Sequence, residues 1–416
     1  MTPAEHYDSL ETRSLEEREH AYFAALPAYL EEARRRAPAL AQRLRDIAAE
    51  EITGRAALAR IPVLRKSELA ELQARHPPFG GLAALQSGEC AHVFASPGPN
   101  YEPVGRRPDH GNFARPLYAA GIRRGDLVYN TFSYHFTPAG LMIESAAREL
   151  GCAVFPAGIG QTELQAATIA HLRPEAYVGT PSFLKILLEK IRETASEGVG
   201  FEKALVSGEA LPPGLRAHLR DAGIRVFQCY TTAELGVVAY ESEAMEGLIA
   251  NEGLILEIVR PGTDEPVPEG DVGEVVITNL LSPEYPLVRF GTGDLSAVLP
   301  GPSPCGRTNV RIRGWLGRAD QSAKVRGMFV HPSLVAQVLR RHPEILRARL
   351  VLRREKDVDE MTLRCEAELR AGGDALREAV AASIRDVCKL RGAVELVPPG
   401  SLPNDGRVIE DTRPVP

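Results

Sequence analysis

The chain has 416 residues, 44% hydrophobic and 25% charged, enough to bury a sizeable core and to form more than one domain. Its net charge of -6 argues against a protein that coats nucleic acid or an anionic membrane. No run approaches the ~18 apolar residues of a membrane span, the N-terminus lacks a signal-peptide core, and the six cysteines form no C-x-x-C pair, which predicts a cytoplasmic protein with reduced thiols.

Residues 1 to about 75 read as helices rich in Ala, Glu, Arg and Leu. The run Arg34-Arg35-Arg36 sits beside Glu31 and Glu32 and reads as a solvated helix face. Short apolar runs then alternate with helical periods. Strands are predicted at 127–130, 152–155, 176–178, 204–206 and 224–227, with helices at 138–150, 162–171, from Pro181 onward, and at 212–222. In the helix opened by Pro181, Phe183, Leu184, Leu187, Leu188 and Ile191 share one face. Such alternation predicts an α/β fold with a mostly parallel, helix-covered sheet and right-handed crossovers. Ligands bind outside the carboxyl ends of such strands, which singles out Gly179-Thr-Pro181, Ser207-Gly-Glu-Ala210 and Tyr230-Thr-Thr-Ala-Glu-Leu-Gly236.

From Gly253 the pattern changes to antiparallel strands at 254–259, 273–278 and 294–299, joined by Pro/Gly turns. Beyond Gly327, helices at 333–341 and 375–388 and strands at 347–352, 361–368 and 394–397 predict a small α+β unit. The expected domains are 1–317 and 318–416.

The segment Leu287-Val-Arg-Phe-Gly-Thr-Gly-Asp-Leu295 precedes Gly317-Arg-Ala-Asp320 and Lys324-Val-Arg-Gly327. An Asp on a glycine-flexible turn, followed ~20 residues later by a basic segment, suits a nucleotide. The carboxylate accepts from both ribose hydroxyls while an Arg answers the phosphate charge. Together with Cys305-Gly-Arg-Thr308, these pieces resemble the R-x-x-T-G-D-L, C-G-R-T and G-R-x-D-x-x-x-K-V-R-G patterns of the phenylacetate–CoA ligase-like branch of the adenylate-forming (AMP-binding) acyl-CoA synthetases.

That resemblance implies a large N-terminal AMP-binding domain with a small antiparallel β subdomain, and a small mobile C-terminal lid. It implies an AMP-forming acid–CoA ligase that activates a small, flat or aromatic carboxylic acid with ATP and Mg2+, then passes the acyl group to coenzyme A. Asp294 is the implied ribose clamp, Arg318 the ribose or phosphate contact, and Asp320 or Gln321 the implied hinge. Ser207, Gly208 and Glu209 are placed around the adenine, Tyr230 against it, and Thr231 and Thr232 on phosphate oxygens. Glu234 is implied as the Mg2+ ligand. Tyr134, His135, Phe136 and Gly179 are expected to line the acyl site, and Lys324 and Arg407 to serve catalysis. Expected partners are the acid and coenzyme A, with a homodimer left open and neither nucleic acid nor membrane.

The sequence departs from the family pattern at three places. Glu102 stands where the phosphate loop carries Lys, Ala233 where a hydroxyl residue is usual, and Arg407 where the C-terminal Lys is expected. Cys305 has no local Cys or His partners, so no zinc site is expected. An anion facing pyrophosphate is unfavourable unless Glu102 turns outward or Mg2+ intervenes. Two alternatives follow: transfer to another acceptor, or a nucleotide-binding homologue without turnover.

Overall fold

The computed structural model describes residues 6–96, 100–194, 200–260, 262–319, 323–325, 328–330, 332–355, 358–368, 373–403 and 407–413. The backbone divides into two compact units, Met1–Leu316 and Gly317–Val415.

The large unit opens with α1 (Leu15–Arg36), α2 (Pro38–Arg43) and α3 (Arg55–Leu58). A reciprocal cap starts α1: Glu17 N donates to Ser14 Oγ while Ser14 N donates to Glu17 Oε2. Leu26 and Leu30 on its inner face are buried with Ile52, Leu58 and Ile61. The arginines of its last turn divide their work. Arg35 pairs with Glu32 on the surface, whereas Arg34 donates to the carbonyls of Leu44 and Ile47. Next come β1 (Leu64–Arg65), α4 (Lys66–Arg75) and an antiparallel hairpin of β2 (His92–Ser96) and β3 (Asn100–Val104), which the sequence reading did not anticipate.

The Rossmann-like part runs α5 (Ala114–Ala119), β4 (Leu127–Asn130), α6 (Ala139–Glu149), β5 (Ala153–Pro156), α7 (Thr162–Leu172), β6 (Ala176–Gly179), α8 (Pro181–Thr194), β7 (Lys203–Val206), α9 (Pro213–Asp221) and β8 (Arg225–Thr232). The chain then adds β9 (Gly236–Tyr240), β10 (Leu248–Ala250), β11 (Leu254–Val259), β12 (Gly273–Asn279), β13 (Phe290–Ser296), β14 (Val298–Leu299) and β15 (Arg311–Ile312). One sheet has the order β14-β15-β10-β9-β8-β7-β6-β4-β5. It is parallel from β8 to β5 and antiparallel from β8 to β14. The expected strand pattern therefore holds for half of this sheet. The other sheet, β1-β13-β12-β11, is antiparallel apart from the β1–β13 pair.

Two expectations are corrected here. Tyr230 to Thr232 lie in β8, because the antiparallel neighbour β9 extends the ladder beyond the parallel pairings. Asp294 lies inside β13, with Gly293 at φ +75° and a register shift between Glu274 and Val276 on β12. It is presented by a bulged strand, a device that re-aims a side chain without ending the ladder.

In the small unit, β16 (Gly317–Arg318) is followed by a hairpin of β17 (Ala323–Val325) and β18 (Met328–Val330). Helices α10 (Pro332–Arg340) and α11 (Gly373–Cys388) accompany a sheet of β19 (Arg347–Glu355), β20 (Val358–Glu366), β21 (Ala393–Val397) and β22 (Ile409–Asp411), in the order β21-β20-β19-β22. Val335, Val338, Leu350, Leu363, Val380 and Ile384 form its core.

Candidate active site

The sheet order places β4 between β6 and β5, so the strand order reverses between β4 and β6, and the loops after these two strands flank a crevice. Gly179 ends β6, and a Cβ there would lie 2.0 Å from Thr131 Oγ1 and 2.2 Å from Tyr177 Oη. Only glycine fits, which gives this residue a packing reason as well as its expected place at the acyl site. At Gly208 (φ +79°) an added Cβ would lie 3.5 Å from Phe132 Cε1 and 3.7 Å from Thr180 Cγ2. The loops after β4, β6 and β7 thus converge within van der Waals reach.

Ser207 ties this edge to β8: its Oγ donates to Cys229 O at 2.7 Å and lies 3.0 Å from Thr231 Oγ1. Thr232 Oγ1 accepts from Leu235 N, and Glu209 is exposed. The aromatic segment expected at the acyl site is divided. Tyr134 is half-buried and accepts from Asn130 Nδ2 at 2.9 Å; burial and then the Glu144 charge raise its pKa. His135 is exposed, and Phe136, at φ +61°, leaves 81% of its surface to solvent. The carbonyl of Phe136 accepts from Ala95 N at 2.8 Å, which binds this loop to the β2–β3 hairpin.

Asp294 is buried, and both carboxylate oxygens are oriented. Tyr230 Oη donates to Oδ2 at 2.7 Å, and Trp315 Nε1 donates to Oδ1 at 3.0 Å. Below it, Gly293 N donates to Glu274 Oε1. The arginine of the same motif points elsewhere. Arg289, fully buried at φ +44°, pairs with Glu257 Oε2 at 3.0 Å and donates to the carbonyls of Ala59, Ile61 and Asp264. It staples the N-terminal segment to the sheet that carries Asp294. Arg289 is therefore structural, a role its motif position did not reveal.

Glu234 has a fully buried side chain, with Lys66 Nζ 2.9 Å from Oε1 and no hydrogen-bond partner for Oε2 among the described residues. Glu102 does not turn outward. It is buried, accepts from Ser96 Oγ at 2.5 Å, and has its pKa pushed up to about 8 by burial and then by the charge of Glu234. A neutral, inward carboxylic acid removes the repulsion expected from an anion at that place. Helix α4 is held against the hairpin by Gln73, whose amide donates to Tyr101 O and accepts from Tyr101 N, both at 2.8 Å. Lys66 and Trp315 are the residues the sequence reading missed. Their signals were faint: a Lys at the start of a helix, and the chain's single Trp.

Arg318, Lys324 and Arg407 belong to the small unit. Arg318 is half-buried, Arg407 is exposed, and the backbone of Lys324 pairs with Phe329. The Lys324 side chain and residues Asp320 and Gln321 lie outside the described part. Two grooves in the large unit contain none of the expected site residues: one of ≈ 640 Å³ beside Glu16, His20 and Arg55, the other of ≈ 790 Å³ beside Leu256, Val267 and Val310.

Comparison with known proteins identifies the family. The AMP-binding enzyme family matches residues 109–280, and the AMP-binding enzyme C-terminal domain matches 327–411. The chain is 34% identical to a phenylacetate–coenzyme A ligase of Thermus thermophilus, over 83% of this chain and 84% of that one. It is 30% identical to a protein of the same name from Pseudomonas putida, over 79% and 77%. Among solved structures it is similar to 2-hydroxyisobutyryl-CoA ligase in complex with 2-HIB-AMP and CoA, with a TM-score of 0.77 and 27% identity over 98% of this chain and 92% of that one. The chain belongs to the phenylacetate–CoA ligase-like branch of the adenylate-forming, AMP-binding enzymes.

Proposed function

We infer that this protein is an AMP-forming acid–CoA ligase, which joins a carboxylic acid to ATP as an acyl-adenylate and then transfers the acyl group to the coenzyme A thiol. The observation that carries the reading is Asp294: a buried carboxylate with each oxygen oriented by one neutral donor. A carboxylate is an acceptor-only group with about four acceptor positions, the chemistry that ribose hydroxyls, as donors, require. The contact chain Ser207–Thr231, then Tyr230–Asp294, continues from the crevice of the parallel sheet to β13.

Adenylation brings two anions together, so the site must supply positive charge and alignment. Glu234 suits Mg2+, being a hard, fully buried carboxylate with an oxygen lacking a partner among the described residues. Among the described residues no group of three or more His, Cys, Asp or Glu is placed to hold a metal. Glu234 would therefore share the ion with phosphate oxygens, as Mg2+ sites commonly do. When bound, the ion supplies neutralisation of phosphate charge. Lys66, 2.9 Å from Glu234, holds that carboxylate in place.

The acid is read as small, because the loops after β4, β6 and β7 approach within contact distance at Gly208. Tyr134, His135, Phe136 and Gly179 are assigned to its surroundings. Residues 317–416 are assigned as the lid domain, bringing Arg318, Lys324 and Arg407 to the reaction, with Arg407 in the role usually held by Lys. Arg keeps the charge but presents a planar fork, so a slow adenylation step is expected.

Pyrophosphate exchange against a panel of small aliphatic and aromatic acids, with and without Mg2+ and followed by coenzyme A addition, tests this reading. Acid-dependent exchange and thioester formation are expected. AMP binding without exchange for any acid would remove the enzymatic assignment.

A further inference from the structure

Trp315 has no place in the family pattern quoted above, yet its indole N–H donates to Asp294 Oδ1, as the Tyr230 hydroxyl does to Oδ2. Its backbone is built for that task. Leu316 N donates to Leu295 O at 2.9 Å and Arg313 N to Ala297 O at 3.0 Å, while Ser296 Oγ donates to Gly314 O at 2.7 Å. These bonds lay residues 313–316 along the end of β13. The indole then reaches back across this pairing to Asp294 Oδ1, with 46% of the residue still exposed. A side chain that only filled the core would be covered, and its N–H would not be aimed at a carboxylate.

We propose that Trp315 is a positioning residue for nucleotide binding, its indole N–H fixing the Asp294 carboxylate in the orientation that receives the ribose hydroxyls. The inference rests on the assignment of Asp294 as the ribose clamp. An indole N–H donates without carrying charge, so it restricts rotation of the carboxylate without itself neutralising it. Tyr230 holds the other oxygen, and the two donors together select one rotamer before the nucleotide arrives. Pre-orientation of this kind lowers the ordering cost of binding. Trp315 is also the chain's single tryptophan, so its emission reports on the clamp alone.

The test uses the full chain. AMP is titrated calorimetrically into the parent, Trp315→Phe, Trp315→His and Asp294→Ala, and ATP is varied in pyrophosphate exchange. Trp315→Phe should weaken AMP binding about tenfold and raise the ATP KM similarly, while kcat changes far less. Trp315→His, which keeps a ring N–H, should recover part of the loss. In the parent, AMP should change the tryptophan emission, a readout independent of whether the variants fold.

AMP binding in Trp315→Phe as tight as in the parent, or tighter, overturns the inference, as does emission that stays constant while calorimetry records binding. A loss that Trp315→His does not relieve assigns the effect to ring bulk and also overturns it. Unimpaired AMP binding by Asp294→Ala defeats the ribose-clamp assignment itself. A loss in Asp294→Ala with none in Trp315→Phe defeats only the role of Trp315.

Discussion

At Asp294 each carboxylate oxygen accepts a hydrogen bond from a neutral side chain, whereas Glu234 and Glu102, both buried, have among the described residues the ammonium of Lys66 nearby. The two neutral donors orient that carboxylate without themselves cancelling its charge. The second arrangement is short of positive charge. Its cost appears on Glu102, which keeps its proton well above the usual carboxylate range. Under the proposed function, the first centre serves recognition of the nucleoside and the second, with a cation, the handling of its phosphates.

The comparison can be broken at four points. The largest effect is expected beneath the clamp. Arg289→Ala strands Glu257, whose pKa burial already raises despite the partner, and should cost about 3–5 kcal/mol in denaturant unfolding. Because Arg289 is a staple, the fraction that remains folded should bind AMP with unchanged affinity; a selective loss of binding would place Arg289 in the site instead.

Asp294→Ala removes the proposed ribose clamp, and should lower acid-dependent pyrophosphate exchange about a hundredfold or more. Exchange within a fewfold of the parent would mean that the clamp is elsewhere. At the other centre, Glu234→Gln should raise the Mg2+ concentration for half-maximal exchange by roughly tenfold, comparable to other metal-site perturbations. An unchanged Mg2+ dependence would take the metal away from Glu234.

The smallest effect concerns pH. The folded-state pKa of Glu102, about 8, lies above its ordinary value of 4.5. Between these values the unfolded chain binds fewer protons than the folded one, so this group makes stability fall as pH rises through the window. Glu234, Lys66 and Tyr285 are the titratable groups interacting with this cluster. Glu102→Gln should flatten that fall between pH 5 and 8 in metal-free buffer, followed by thermal unfolding. A parallel pH profile in both proteins would show that Glu102 ionises normally.

Much of this architecture was legible in the sequence, for identifiable reasons. The strands at 127–130, 176–178 and 204–206 stood out because each is a short apolar run between helical periods, and each is buried in the parallel half of the sheet. Strands 254–259 and 273–278 were marked by their Pro/Gly turns. The β2–β3 hairpin was missed: Pro97, Pro99 and Pro103 mask its pattern, and its pairing is settled by neighbours such as Gln73. The extension of β8 through Thr232 was missed because its partner, β9, adds itself from beyond the parallel unit.

The sequence by itself determined the family, the alternation that builds the sheet and the position of Asp294, since these are written in local spacing and in motif residues adjacent along the chain. Only the tertiary structure decided what those side chains do. Arg289 became a staple, Glu102 turned inward as a neutral acid, Lys66 met Glu234, and Trp315 closed on Asp294. The physical reason is that hydrogen bonding and burial depend on which segments meet in space. Lys66 and Glu234 are far apart along the chain, and no local pattern encodes their 2.9 Å contact.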